Sequence, residues 1–292
     1  MLEVLESNGF RLESRQIGAL EANSPHEGRE SLQRTYLRQG YLWLQNFLPR
    51  EEVLAFRKHF FQAFQESGLV RGDALVGLYS GHEDQGLASK ALMEQVRSAM
   101  YEAFCLHPRL VAFLDDFLGG PSYLHKRKLI RYTKPGDPSA TGAHYDLVYL
   151  RGGTDKLVTV WIPIGDCPVE MGGLIYLEGS DAKGREMEAD FSRKNADLSP
   201  SERISAYNKN MTASGWISKD LPALAEKFGS RWLAADYSAG DVVLHSPYMI
   251  HAATMNQDRQ GRLRLSTDIR YQNVRHEIDA RWGNHWTLED ML

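Results

Sequence analysis

Apolar residues follow two rhythms along this chain, and the change from one to the other near residue 120 divides it. Before that point the spacing is helical. Residues 40–48 read as a short strand running into Pro49, and residues 51–66 then carry Val53, Leu54, Phe56, Phe60, Phe61 and Phe64 at helical intervals. The opening Pro49-Arg50-Glu51-Glu52 suits a first turn, where proline gives up no needed donor and acids favour the dipole. The same periodicity predicts helices over residues 90–105 and 108–117, the latter stopped by Gly119-Gly120. From Pro121 onward, residues 123–132, 158–164, 173–177, 241–245 and 263–271 are short β-rich runs punctuated by Gly, Pro or Asp. Between Ser180 and Gly240 lies a polar stretch, helical in part over residues 200–207 and 221–228. It is too long for a structureless loop, so we expect a structured insertion able to act as a lid.

Short punctuated strands predict a sandwich or jelly roll with the preceding helices on one outer face, an α+β protein with a mainly β core. Absent any repeat or low-complexity tract, we expect one domain over residues 1–292: a mostly helical part to about 120, a cupin-like core over 121–275 with the insertion at 181–240, and a tail over 276–292. One run is two-faced. Arg262, Arg264, Ser266, Asp268 and Arg270 alternate with Leu263, Leu265, Thr267, Ile269 and Tyr271. In an open sheet the charged face would meet water. In a closed one it lines an interior cavity, where an arginine can hold a carboxylate through paired charge-assisted hydrogen bonds.

Composition narrows the partners. A net charge of -4 argues against nucleic acid or an anionic membrane surface, leaving a small-molecule substrate, with the oligomeric state open between monomer and homodimer. Cys105 and Cys167 have neither a disulfide framework nor a metal-ligand spacing, which points to a cytoplasmic protein. The first thirty residues lack the continuous apolar run of a signal peptide or spanning helix.

Candidate chemistry sits in Thr141-Gly142-Ala143-His144-Tyr145-Asp146. On an extended strand His144 and Asp146 would face the same way, with Tyr145 turned aside. A third ligand could come from His245 or His251; Pro247 between them interrupts the ladder, so strand parity does not choose. Two imidazoles and a carboxylate leave three positions of an octahedral ion open, the arrangement of non-haem Fe(II) oxygenases, although His and Asp also bind Mn and Zn. His-x-Asp alone is a weak motif.

Its ordered company is more specific. Residues 40–49, His144-Tyr145-Asp146, the run 158–164 with Trp161, the run 170–180, and His251 followed by Arg264-Leu265-Ser266 together resemble the phytanoyl-CoA dioxygenase family of Fe(II)/2-oxoglutarate oxygenases, over about residues 35–275. Asp181 departs from the pattern, standing where the family has a histidine that is not a metal ligand. The resemblance implies a jelly roll, iron held by His144, Asp146 and His251, and 2-oxoglutarate paired with Arg264, for which Arg262 on the same predicted face is the alternative. It implies Trp161 lining the cosubstrate pocket and Lys128 meeting a cosubstrate carboxylate. Substrate candidates are Tyr145, Tyr149 and Arg151 beside the motif, and Lys209, Asn210 and Trp216 in the insertion. Asp268 and Arg270, if inward, would suit a polar or zwitterionic small molecule, whereas Asn256 is expected to shape a turn. The implied reaction consumes dioxygen and 2-oxoglutarate, releases succinate and carbon dioxide, and oxidises an unactivated C–H bond. Asp146 favours hydroxylation or another oxidation over halogenation, because related halogenases carry a small residue there. Two rivals are a cupin-like metal enzyme without 2-oxoglutarate, disfavoured by Arg264 and Trp161, and a non-catalytic module, disfavoured by the intact His144/Asp146/His251 set.

Overall fold

The computed structural model describes residues 4–212, 214–288 and 290. Two sheets face each other across a cavity of about 480 Å³, with the helices outside. The larger sheet runs in the order Ala22–Asn23, Tyr41–Leu44, Val242–His245, Leu157–Pro163, Arg264–Asn273 and Ser122–Leu124, with Leu129–Thr133 also paired to Arg264–Asn273. The smaller sheet runs His251–Ala253, Leu174–Leu177, Trp232–Ala234, Ile17–Ala19. Pairing is antiparallel except where Ala22–Asn23 and Ile17–Ala19 join in parallel. The architecture is α+β, compatible with the expected jelly roll.

Alternation along the strands sorts the larger sheet into two buried faces. Val158, Val160 and Ile162, Leu244, and Leu265 and Ile269 point outward into one core with Val53, Phe56, Phe60, Phe61 and Phe64 of the helix Arg50–Gln62 and its following turns. The helix Pro108–Leu118 adds Leu110, Leu114 and Phe117 to that core. Burying each such side chain stabilises the fold by roughly 1.5–3 kcal/mol, so this face carries much of the molecule's stability. The opposite positions of the same strands, Thr159, Trp161, Arg264, Ser266, Asp268 and Arg270, turn toward the interior.

Several elements differ from the sequence reading. The helix expected over 90–105 is two, Gln85–Val96 and Ala99–Cys105, because Ser98 caps the second by accepting from the Tyr101 amide at 3.1 Å. The run 123–132 splits into Ser122–Leu124 and Leu129–Thr133 around a polar turn. The helix Arg29–Gln39 and the N-terminal strands were not expected; strands of two or three mostly polar residues carry no period to read. The insertion holds the helices Ser180–Lys194, Pro200–Thr212 and Leu221–Phe228, the first of them also unexpected. That helix lies directly on the segment before His251: a Cβ at Gly184 would come within 1.9 Å of the Tyr248 carbonyl oxygen. Among the described residues no helix is long and apolar enough to cross a membrane.

Candidate metal centre

His144 and His251 face each other across a two-residue antiparallel bridge, each amide donating to the other's carbonyl at 3.0 and 2.9 Å. Main chain therefore sets their separation. Asp146 arrives differently from the expectation of a continuous strand: its backbone is already helical (φ -67°, ψ -29°), opening the short helix Leu147–Leu150. The convergence of His144 and Asp146 comes from this turn rather than from strand parity.

The three side chains are buried, and their ligating atoms lie within 4.8 Å of one another. Nδ1 of His144 lies 2.8 Å from the Gly142 carbonyl oxygen and Nδ1 of His251 lies 2.9 Å from that of Met249. A carbonyl accepts only, so each Nδ1 carries the proton and each Nε2 presents a lone pair inward. Those Nε2 atoms stand 3.7 and 3.8 Å from Asp146 Oδ1. Its other oxygen, Oδ2, accepts from Thr159 Oγ1 and lies 3.3 Å from His245 Nε2. His245 is thus set beside the carboxylate instead of joining the convergent trio, with its Nδ1 3.0 Å from the Tyr176 hydroxyl.

Electrostatics suits a cation. Burial pushes the Asp146 pKa up, but the charge of Arg270, with His144 and His245 beside it, outweighs burial and holds the carboxyl well below its usual range. Burial, with His144 and His245 nearby, drives His251 well below the usual histidine value, keeping the ring neutral. A neutral-imidazole pair with one carboxylate is the donor set of a facial Fe(II) site.

Arg264 lines the same cavity, buried, with Nη2 and Nε donating to Thr133 Oγ1 at 2.7 and 3.2 Å. Trp161 lies on the cavity wall beside it, packed edge-on to Tyr237. Ser266, Asp268 and Arg270 continue the inner face of that strand, and Arg270 Nη2 donates to Asp146 Oδ1 at 3.0 Å. Tyr149 and Trp216 also line the cavity, with the Tyr149 ring 5.6 Å from His144.

Other sequence candidates lie elsewhere. Arg262 does not reach the cavity: its guanidinium and amide both bind Asp258, at 2.6 and 2.8 Å, because the chain enters the strand only at Arg264. Lys128 is buried outside the cavity, 3.6 Å from Glu102 and over the Tyr101 ring; the residues that face inward from its neighbourhood are Leu129, Arg131 and Thr133. Arg151 and the Tyr145 hydroxyl are taken up by Glu188, with Arg151 lying 3.5 Å over Phe191, so they fasten the insertion rather than line the site. Lys209 is exposed on its helix and off the cavity wall, and the side chain of Asn210 lies outside the described residues. Asp181 pairs with Arg185. Asn256 shapes its turn as expected, donating to the Thr133 and Arg262 carbonyls and accepting from the Asp258 amide.

Sequence reasoning overlooked Thr159, Thr133 and Arg131, whose only signal was a place on the inward side of a strand. It also overlooked the tail. Trp282 and Trp286 line the cavity, and Trp282 Nε1 and Arg281 Nη2 both donate to the Tyr149 carbonyl, at 3.0 and 3.1 Å. Asp279 accepts from the Gly152 amide at 3.0 Å, so the tail is fastened to the loop that follows the metal motif.

Comparison with known proteins gives one answer. The profile of the phytanoyl-CoA dioxygenase (PhyH) family matches residues 36–263. A 1-deoxypentalenic acid 11-beta-hydroxylase of Streptomyces arenae is 25% identical over 253 residues, covering 84% of this chain and 82% of its own. Among solved structures, the epimerase SnoN in complex with Fe3+, alpha ketoglutarate and nogalamycin RO is similar in fold at TM-score 0.56 and 20% identity, over 86% of this chain and 85% of that one. Iron-bound EctD from S. alaskensis is similar at TM-score 0.55 and 13% identity, over 98% and 91%.

Proposed function

The chain belongs to the phytanoyl-CoA dioxygenase family, and from that premise we propose that His144, Asp146 and His251 hold Fe(II) while Arg264, with Thr133, receives the distal carboxylate of 2-oxoglutarate. The protein is an Fe(II)- and 2-oxoglutarate-dependent dioxygenase that oxidises an unactivated C–H bond of a small molecule and releases succinate and carbon dioxide. We take residues 1–292 to work as one oxygenase domain.

When bound, the iron and cosubstrate supply the redox chemistry, consuming dioxygen and 2-oxoglutarate. This chain's residues supply position. Thr159 and His245 occupy Oδ2 of Asp146, so Oδ1, which also accepts from Arg270, is the oxygen that would hold the ion. The carbonyls of Gly142 and Met249 hold both imidazoles in the ligating tautomer. Trp161, Tyr149 and the tail tryptophans exclude water from the cavity. The observation that carries the reading is the buried trio with both Nε2 lone pairs turned inward, in one cavity with a buried arginine. The hydroxylase relatives are named for 1-deoxypentalenic acid; by that likeness, hydroxylation of a small metabolite is the outcome we propose here.

Anaerobic protein given Fe(II) and 2-oxoglutarate should develop a visible metal-to-ligand absorption band and, on adding oxygen, form succinate. Metal-loaded protein with neither band nor succinate would sink the assignment. Asp146→Ala should abolish both.

A further inference from the structure

We infer that the substrate is an organic monoanion built on a ring skeleton, its acid group received by Arg131 and its rings by the tryptophans of the cavity wall. This rests on the iron and 2-oxoglutarate reading above and names the substrate class that the same site takes.

Arg131 stands on the strand Leu129–Thr133, paired in register with Ser266, so it lies between the Arg264 and Arg270 ends of the neighbouring strand. Its guanidinium lines the cavity and makes no hydrogen bond or ion pair among the described residues. Of the other two arginines of the inner wall, Arg264 donates to Thr133, and Arg270 is charge-paired with Asp146 through Nη2 while its Nε and Nη1 are buried without a partner among the described residues. An unpaired cation therefore lines the same cavity as His144 and His251.

The pairing of the other charges agrees. Arg270 is matched by Asp146, Lys134 by Glu83, and Arg264 is given to 2-oxoglutarate in the reading above. Arg131 is then the guanidinium left without a carboxylate partner, which favours an anion beside it and disfavours an amine.

The rest of the substrate meets rings. Trp216 from the insertion and Trp282 and Trp286 from the tail line the cavity along with Tyr149. Trp282 is held in place with the Arg127 and Arg270 guanidiniums each 5.3 Å from its ring centroid, and Trp216 rests against Gly142, where a Cβ would come within 2.8 Å of the indole. Large flat side chains fixed in this way suit a rigid apolar body better than a flexible acyl chain.

The test uses anaerobic holoenzyme with Fe(II) and 2-oxoglutarate and measures, by calorimetry and by the shift of the visible band, the binding of matched pairs. Each pair is an alicyclic or aromatic carboxylic acid and its carboxamide, from adamantane-1-carboxylic acid to larger polycyclic acids. We expect at least one acid to bind more than about tenfold tighter than its amide. Arg131→Gln should bring the pair to near equality while leaving 2-oxoglutarate affinity within about twofold, and Arg131→Lys should retain part of the preference. Absence of any acid-over-amide preference, including binding by no acid at all, overturns the proposal. So does an Arg131→Gln protein that keeps the preference, or one that instead loses 2-oxoglutarate, which would make Arg131 a cosubstrate residue. Failure of the iron reading looks different: the band itself would be missing before any probe is added.

Discussion

The two faces of the larger sheet are both removed from water, yet they are chemically opposite. Outward, Val158, Val160, Ile162 and Leu265 meet phenylalanines and need no partners beyond contact. Inward, Thr159, Arg264, Asp268 and Arg270 of the same strands carry the polarity of the site. Burying an unpaired polar group costs several kcal/mol, so the inner face is tolerable only because its groups are paired or kept for a ligand. The lesson is that stability and chemistry can be assigned to alternate residues of one strand, and substitutions should separate them.

The largest separation should come from His251→Ala. Its bridge to His144 is main chain, so pairing survives while bound iron and succinate formation fall by at least about a thousandfold, equivalent to about 4 kcal/mol in the barrier; metal analysis beside circular dichroism checks both halves. Phe60→Ala should do the reverse, lowering unfolding free energy by about 3–5 kcal/mol in urea while the surviving folded fraction keeps its KM for 2-oxoglutarate. Arg264→Gln removes a charge-assisted contact of about 1.5–3 kcal/mol, so 2-oxoglutarate KM should rise tenfold to a hundredfold with iron binding unchanged. Thr159→Val removes the hydroxyl donor to Oδ2 of Asp146, leaving His245 there, and should weaken iron about tenfold in a chelator competition. Arg262→Gln should change the site least, with no measurable change in KM, since its partner is Asp258 outside the cavity; loss of the guanidinium from that buried carboxylate should cost about 1–3 kcal/mol of stability.

How far the comparison was legible in the sequence follows from what a strand's alternation can say. Leu263 to Tyr271 announced two faces, but whether the charged one met water depended on closure by a second sheet, which no local pattern encodes. The candidate metal-binding trio was legible by residue type and order, while the helical backbone of Asp146 was not, because a turn placed after one extended residue leaves no period. Arg262 shared the parity of Arg264 and was expected on its face; the Asp258 turn takes it away before the strand begins. Lys128 lies just before the strand whose inward positions start at Leu129. Thr133 and Thr159 are ordinary strand residues until their partners, Arg264 and Asp146, are known. Trp282 and Trp286 follow the last strand without periodicity, so only the folded chain brings them to Tyr149.

The main-chain bridge between His144 and His251 has a kinetic side. Two amides that donate to each other's carbonyls should exchange slowly whether or not iron is bound. A site ordered by its ion would instead exchange fast until loaded. Slow exchange without iron would separate folding from metallation in time, with iron adding to stability by mass action.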